Sequence, residues 1–166
     1  MKYSVIEPFN IDNGEGARVV LWEQFCPHRC PSCHNPHTWG DGGKEFGEEE
    51  RDLIMYYLDE YFPKDLSILG GEPLCEPNVE GTYELLKYVK EHRPQTDIWM
   101  WTGYTWDELN EQQKKCLPYI DTLIDGRFEI DKKVEGLKWK GSENQNIIDV
   151  QESLKQGKMI LDERYV

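Results

Sequence analysis

Short β-prone segments alternate with helical segments along most of this chain of 166 residues, and glycine or polar residues directly follow several of the β-prone segments. Alternation of this kind is typical of βα units that build a parallel sheet. The pattern therefore predicts a single α/β domain over residues 1–166. The predicted strands are residues 17–22, 65–69, 97–102, 121–125 and 158–161, and the predicted helices are residues 48–62, 78–92 and 105–117.

The loops that follow the predicted strands carry most of the residue types that perform chemistry. In parallel α/β folds, functional residues collect in the loops at the C-terminal ends of the strands. Here these loops are residues 26–43, 70–77, 103–105 and 126–128. We therefore expect them to meet at one edge of the sheet and to form the functional site there.

The first of these loops contains Cys26, Cys30 and Cys33 in a C-x3-C-x2-C arrangement. Thiolates are the soft ligands that iron–sulfur clusters require, and three of them satisfy three irons of a cubane while the fourth iron stays open to a small molecule. The alternative is a structural zinc ion whose fourth ligand is one of the histidines of the same loop, His28, His34 or His37. The cysteines alone leave both interpretations open. The placement of all candidate ligands in one loop favours the cluster.

The second loop begins with Gly70, Gly71 and Glu72, and a proline follows. Two glycines at the end of a strand let the backbone approach a ligand closely, and the carboxylate of Glu72 can pair with an ammonium group. Taken alone, this segment is better explained by an ordinary turn between a strand and a helix.

Taken together, the cysteine arrangement and the later strand with Gly-Gly-Glu-Pro resemble the radical S-adenosylmethionine superfamily. In that superfamily the three cysteines bind a [4Fe–4S] cluster, and the methionine part of S-adenosylmethionine chelates the open iron. The resemblance implies a partial, open parallel βα barrel. The chain is shorter than the roughly 200 or more residues of a closed barrel, which agrees with an incomplete one.

Further segments narrow the resemblance to the activases of glycyl radical enzymes. Residues 33–39 resemble the segment after the third cysteine in those activases. Residues 99–104, 125–128 and 139–145 resemble the branch that acts on the anaerobic ribonucleoside-triphosphate reductase. The resemblance implies that a reduced cluster cleaves S-adenosylmethionine and that the resulting 5′-deoxyadenosyl radical takes a hydrogen atom from a glycine of that reductase. It also implies a low-potential electron donor such as flavodoxin.

Three alternatives remain beside this interpretation. The first is the activase of another glycyl radical enzyme, such as pyruvate formate-lyase. The second is a zinc-stabilised adaptor without catalysis, and the third is a scaffold that holds a cluster but does not cleave S-adenosylmethionine.

The same resemblance implies which residues contact S-adenosylmethionine. Arg127 stands where related activases carry a basic residue near the methionine carboxylate, although a surface arginine is an equal alternative. Ser32 replaces the aromatic residue that often precedes the third cysteine, so its contact is expected through the backbone. Thr102 is as well explained by a role at the start of a helix. The complete set of expected contact residues is Ser32, His34, Asn35, Gly70, Gly71, Glu72, Thr102 and Arg127.

The remaining tryptophans and cysteines of interest are predicted to be structural. Apolar surroundings in the sequence place Trp22, Trp99 and Trp101 in the core. Cys75 and Cys116 are expected to be small buried side chains rather than ligands.

Composition limits the classes of partner. The chain has 32 acidic against 19 basic residues and a formal net charge of −13, which repels phosphate backbones and anionic membrane surfaces. No apolar stretch approaches the roughly 18 residues of a membrane span, and no segment at the N-terminus has the pattern of a secretory signal. We therefore expect no nucleic-acid partner, no membrane partner and a cytoplasmic location.

Overall fold

The computed structural model describes residues 1–165 and contains one mixed sheet of seven strands. Along the sheet the strands lie in the order β3-β1-β2-β4-β5-β6-β7. Their bounds are β1 (Lys2–Asn10), β2 (Arg18–Glu23), β3 (Lys44–Glu45), β4 (Asp65–Gly70), β5 (Ile98–Trp101), β6 (Thr122–Asp125) and β7 (Asn146–Asp149). The helices are α1 (Glu48–Asp59), α2 (Glu76–His92), α3 (Glu111–Lys114) and α4 (Val150–Gln156).

The middle of the sheet confirms the predicted βα organisation. Strands β2, β4, β5 and β6 pair in parallel. Strands β1 and β3 at one side and β7 at the other pair antiparallel. The short connection between β1 and β2 contains no helix, so the chain reverses and the two strands pair antiparallel. The α/β class is therefore confirmed, and the open, partial barrel stays a prediction.

The region predicted as a helix over residues 105–117 is instead three short pieces: a 3-10 turn at Trp106–Glu108, helix α3, and a second 3-10 turn at Leu117–Tyr119. Leu109 adopts an extended conformation that ends the first turn. Asn110 then starts a new helix, because its side chain accepts a hydrogen bond from the backbone of Gln113 at 2.8 Å. The predicted single helix was wrong because a second N-cap lies inside it.

Other boundaries also differ from the sequence prediction. Helix α1 ends at Asp59 rather than at residue 62, and Tyr61, which lies inside the predicted helix, is 92% exposed with φ 65°. The segment at residues 158–161 forms only a single bridge between Leu161 and Ile148 rather than a strand. Strands β1, β3 and β7 and helix α4 were not predicted.

The core lies on the middle strands, where apolar side chains are buried on both faces. In β2, Val19, Val20 and Leu21 are fully buried, as expected for a parallel strand covered on both sides. Cys75 and Cys116 are buried as predicted. Within residues 1–165, no helix combines the length and the apolar composition that a membrane crossing requires.

Candidate functional site

A cavity of about 430 Å³ lies at the C-terminal ends of the parallel strands. Residues that follow β2, β4, β5 and β6 all contribute to its lining, so the four loops predicted from the sequence do meet at one place. The predicted residues that line it are Cys26, Cys30, Cys33, His34, Asn35, Gly70, Gly71, Glu72, Thr102 and Arg127.

Ser32 is the exception among the expected contact residues. It is exposed, with φ 60°, in the turn closed by the hydrogen bond from the Cys33 amide to the Cys30 carbonyl at 3.1 Å. It is not among the residues of the described chain, 1–165, that line the cavity. A backbone contact through Ser32 stays a prediction.

Backbone amides point at the three thiols of the loop. The Asn35 amide donates to Sγ of Cys33 at 3.3 Å. Burial raises the pKa of the Cys26 thiol to about 11, and backbone hydrogen bonds from His28 and Arg29 oppose that shift. Burial also raises the pKa of Cys30, opposed by a backbone hydrogen bond from Phe128. Amide hydrogen bonds to sulfur stabilise thiolate ligands and are among the features by which proteins tune iron–sulfur clusters.

The cysteine loop, residues 26–33, is fixed where it leaves the sheet. The amides of Phe25 and Cys26 donate to the carbonyls of Thr38 and Trp39 at 2.7 and 3.3 Å. The guanidinium of Arg29 lies over the Trp39 ring at 5.4 Å. Local sequence does not specify this path, since Phe25 and Arg29 both adopt positive φ. The surrounding contacts hold these strained conformations.

The two glycines after β4 are required by close approach of the neighbouring chain. A Cβ on Gly70, whose φ is +111°, would lie 2.6 Å from the Glu23 nitrogen. A Cβ on Gly71 would overlap the carbonyl of Phe25. The Gly-Gly pair therefore lets residues 70–72 pack directly against the segment that leads into the cysteine loop.

The carboxylate of Glu72 is almost completely buried and accepts four hydrogen bonds. Oε1 accepts from His28 Nε2 and from the Gly103 amide, both at 2.7 Å. Oε2 accepts from Thr102 Oγ1 at 2.8 Å and from the Leu74 amide at 2.9 Å. Thr102 is therefore a hydrogen-bond donor to this carboxylate. An ammonium group that pairs with Glu72, as predicted, would have to compete with these four donors.

Arg127 lies at the exposed side of the cavity. Its guanidinium pairs with the carboxylate of Glu108 at 3.1 Å, and both side chains are 42% exposed. An ion pair at this exposure is worth little, typically about 0–1 kcal/mol. The guanidinium is therefore readily available to another carboxylate that enters the cavity.

Sequence reasoning missed part of the lining. Trp22 and Trp101, predicted as core, are only partly buried and line the cavity, whereas Trp99 is 1% exposed as predicted. The strand positions explain this difference, because Trp22 is the last but one residue of β2 and Trp101 is the last residue of β5, beside the loops. Trp139 also lines the cavity, with φ 66°.

The segment 139–145 closes one side of the cavity through Gln145. Its Oε1 accepts hydrogen bonds from the amides of Gly141 and Ser142 at 2.7 and 3.1 Å. Its Nε2 donates to the carbonyl of Gly126 at 2.9 Å, which fastens the segment to the end of β6. This segment was noted in the sequence only for its resemblance, and its position in the cavity depends on pairing that no local pattern reveals.

Two of the three histidines considered as zinc ligands make other contacts. His28 donates to Glu72, and the ring of His34 packs 5.2 Å from that of Phe128. Within residues 1–165, no three His, Cys, Asp or Glu side chains are arranged to hold one metal ion. The fit to a cluster is therefore judged from the donors themselves. Three thiols that share one cavity, one of which accepts a backbone hydrogen bond, fit a cubane with one open iron.

Comparison with known proteins identifies the family. Residues 12–148 match the family described as "4Fe-4S single cluster domain". The chain is 39% identical over 150 residues to the anaerobic ribonucleoside-triphosphate reductase-activating protein of Vibrio cholerae, covering 89% of this chain and 97% of that protein. The proteins of the same name from Haemophilus influenzae and Enterobacteria phage T4 are 40% and 36% identical, covering 97% and 93% of their lengths and 89% of this chain in each case. The chain therefore belongs to the 4Fe-4S single cluster domain family and, within it, to the anaerobic ribonucleoside-triphosphate reductase-activating proteins.

Proposed function

We propose that this chain is a radical S-adenosylmethionine enzyme that generates a glycyl radical on an anaerobic ribonucleoside-triphosphate reductase. One observation carries the proposal: the three thiols and the segment 70–72 line one cavity. The names of the relatives support the choice of partner.

In this proposal Cys26, Cys30 and Cys33 hold a [4Fe–4S] cluster. Such a cluster would supply the one electron that reductive cleavage of S-adenosylmethionine requires. Cleavage at the sulfonium would release methionine, and the 5′-carbon would take a hydrogen atom from a glycine Cα of the partner. The electron comes from a low-potential donor of the flavodoxin type. The protein contributes binding, orientation and exclusion of water.

Residues around the cavity would hold S-adenosylmethionine from several sides. The backbone of residues 70–72 offers close contacts because Gly70 and Gly71 carry no side chains. The guanidinium of Arg127 suits the methionine carboxylate, since a planar fork of donors matches two carboxylate oxygens. Ser32, His34 and Asn35, at the end of the cysteine loop, would also contact S-adenosylmethionine. Thr102 orients the carboxylate of Glu72 by donating a hydrogen bond to it.

The broader arrangement is part of the same proposal. Residues 1–166 form one domain, and the sheet curves as an open, partial barrel whose uncovered side admits a glycine-bearing loop of the reductase. The acidic balance of the chain disfavours nucleic acid and anionic membranes as partners. Five free cysteines agree with a cytoplasmic location, where thiols stay reduced.

The test combines the anaerobically reconstituted chain with a purified anaerobic reductase, S-adenosylmethionine and a reductant. We expect a glycyl radical in the electron-spin spectrum of the reductase and one 5′-deoxyadenosine per radical formed. Pyruvate formate-lyase serves as the alternative partner and should stay radical-free. One zinc and no sulfide per chain, or no 5′-deoxyadenosine after reduction, would contradict the proposal.

A further inference from the structure

His28 lies inside the cysteine loop, two residues from Cys26 and two from Cys30. Its side chain bonds a carboxylate and is therefore not free to act as a metal ligand. Only 5% of its side chain is exposed. Its Nε2 lies 2.7 Å from Oε1 of Glu72, whose side chain is 1% exposed. The link joins the loop after β2 to the segment after β4, which are 44 residues apart in sequence.

The loop after β5 is shaped around this histidine. A Cβ on Gly103 would overlap the His28 ring, so only glycine leaves room for it. The Tyr104 ring packs edge-on against His28, with ring centroids 4.6 Å apart and an interplanar angle of 74°. Thr102 and the Gly103 amide complete the arrangement by donating to the same carboxylate. The residues Thr102, Gly103 and Tyr104 thus all contact the pair formed by His28 and Glu72.

This arrangement gives the carboxylate of Glu72 donors from three different loops. The donors are His28 after β2, the Leu74 amide after β4, and Thr102 with Gly103 after β5. Because the carboxylate is buried, removal of one donor leaves acceptor capacity that water cannot easily satisfy. Removal of a donor is therefore expected to disturb how the three loops are aligned with one another.

We propose that His28 is a positioning residue that aligns the cysteine loop with residues 70–72 through Glu72. Its loss leaves the three thiols and their cluster in place but loosens the grip on the methionine end of S-adenosylmethionine. The expected effect on S-adenosylmethionine binding rests on the proposed function, whereas the alignment of the two loops does not.

The test compares two substitutions at this position. His28→Gln keeps an N–H at about the reach of Nε2, whereas His28→Phe fills the space between Gly103 and Tyr104 without a donor. His92→Phe is the matched control, because His92 is exposed at the end of α2 and does not line the cavity. Each variant is examined metal-free by amide hydrogen exchange and, after anaerobic reconstitution, by iron and sulfide content and S-adenosylmethionine binding.

In the metal-free protein we expect the Gly103 amide of His28→Phe to exchange about tenfold faster than in the parent, since a buried hydrogen bond is worth about 1 kcal/mol or more. The Leu123 amide in β6 serves as the internal reference and should not change. His28→Gln and His92→Phe should match the parent. Equal Gly103 exchange in His28→Phe and the parent would overturn the alignment, whether or not the proposed function holds.

In the reconstituted protein we expect His28→Phe to keep its iron and sulfide but to bind S-adenosylmethionine about tenfold more weakly, with His28→Gln restoring most of the affinity. Loss of iron from His28→Phe would also overturn the proposal, because His28 would then serve cluster assembly. Faster Gly103 exchange with no measurable S-adenosylmethionine binding in the parent would instead count against the proposed function alone.

Discussion

Gly70→Ala is the substitution whose cost the structure defines most directly. Gly70 ends β4 with φ +111°, and an added Cβ would lie 2.6 and 2.7 Å from the backbone nitrogen and oxygen of Glu23 in β2. Both neighbours are backbone atoms of a paired strand, so neither moves without disturbing the sheet. Gly157 is the matched control, because it has φ +72° at the end of α4 and nothing within 4 Å of an added Cβ.

The two substitutions share one cost and differ in another. A positive φ costs an alanine about 1–2 kcal/mol in the left-handed region, where Gly157 lies, and at least as much at the φ of +111° of Gly70. Only Gly70→Ala adds overpacking against a fixed backbone, which costs about 1–3 kcal/mol. The loss of unfolded-state entropy from replacing glycine is common to both and cancels in the comparison. We therefore expect a loss of unfolding free energy of about 2–5 kcal/mol for Gly70→Ala and about 1–2 kcal/mol for Gly157→Ala.

Urea unfolding of the metal-free, reduced protein measures both values. The difference between the two variants measures the contact between β4 and β2 together with the additional backbone strain at the φ of Gly70. Equal destabilisation by both substitutions would refute the reasoning, because it would mean that the close approach at Gly70 carries no energetic cost.

Three further predictions concern the thiols, the guanidinium and a buried carboxylate. Cys30→Ala should lose most of the iron after anaerobic reconstitution while Cys116→Ala, at a buried cysteine outside the cavity, keeps it; equal iron in both would be contrary to the assigned ligands. Arg127→Ala should weaken S-adenosylmethionine binding about tenfold or more with iron unchanged, as measured by titration, and unaltered affinity would remove Arg127 from the site. Burial raises the pKa of Glu23 well above its usual value, so its contribution to stability is complete below the unfolded pKa and is lost as pH rises. Glu23→Gln should therefore gain stability relative to the parent between pH 5 and pH 8 in urea unfolding, and a difference that is constant with pH would contradict this.

The parts of the fold that the sequence predicted are those with a strong local pattern. Strand β4 and helix α2 were predicted within two residues because each combines an apolar period with a glycine or proline at its boundary. Strand β1 was missed because its residues are mostly half-exposed and it pairs at the side of the sheet. The break after Trp106–Glu108 was missed because the N-cap at Asn110 lies within an otherwise continuous helical pattern.

The site shows the same division between local and distant information. The position of the four loops followed from the rule that parallel strands present their C-terminal ends together. The hydrogen bonds of Glu72 could not be predicted, since their donors lie up to 44 residues away and depend on the register of three strands. The lining by Trp22 and Trp101 also depends on register, because an aromatic residue at the end of a strand reads in sequence like one in its middle.

The central claim is that Cys26, Cys30 and Cys33 hold a cluster with one iron that is open to S-adenosylmethionine. The most direct measurement is the electron-spin spectrum of the anaerobically reconstituted, reduced protein before and after addition of S-adenosylmethionine. The account predicts the signal of a reduced [4Fe–4S] cluster that changes on addition. A signal that stays the same with saturating S-adenosylmethionine, or a protein that takes up zinc without sulfide, would contradict it.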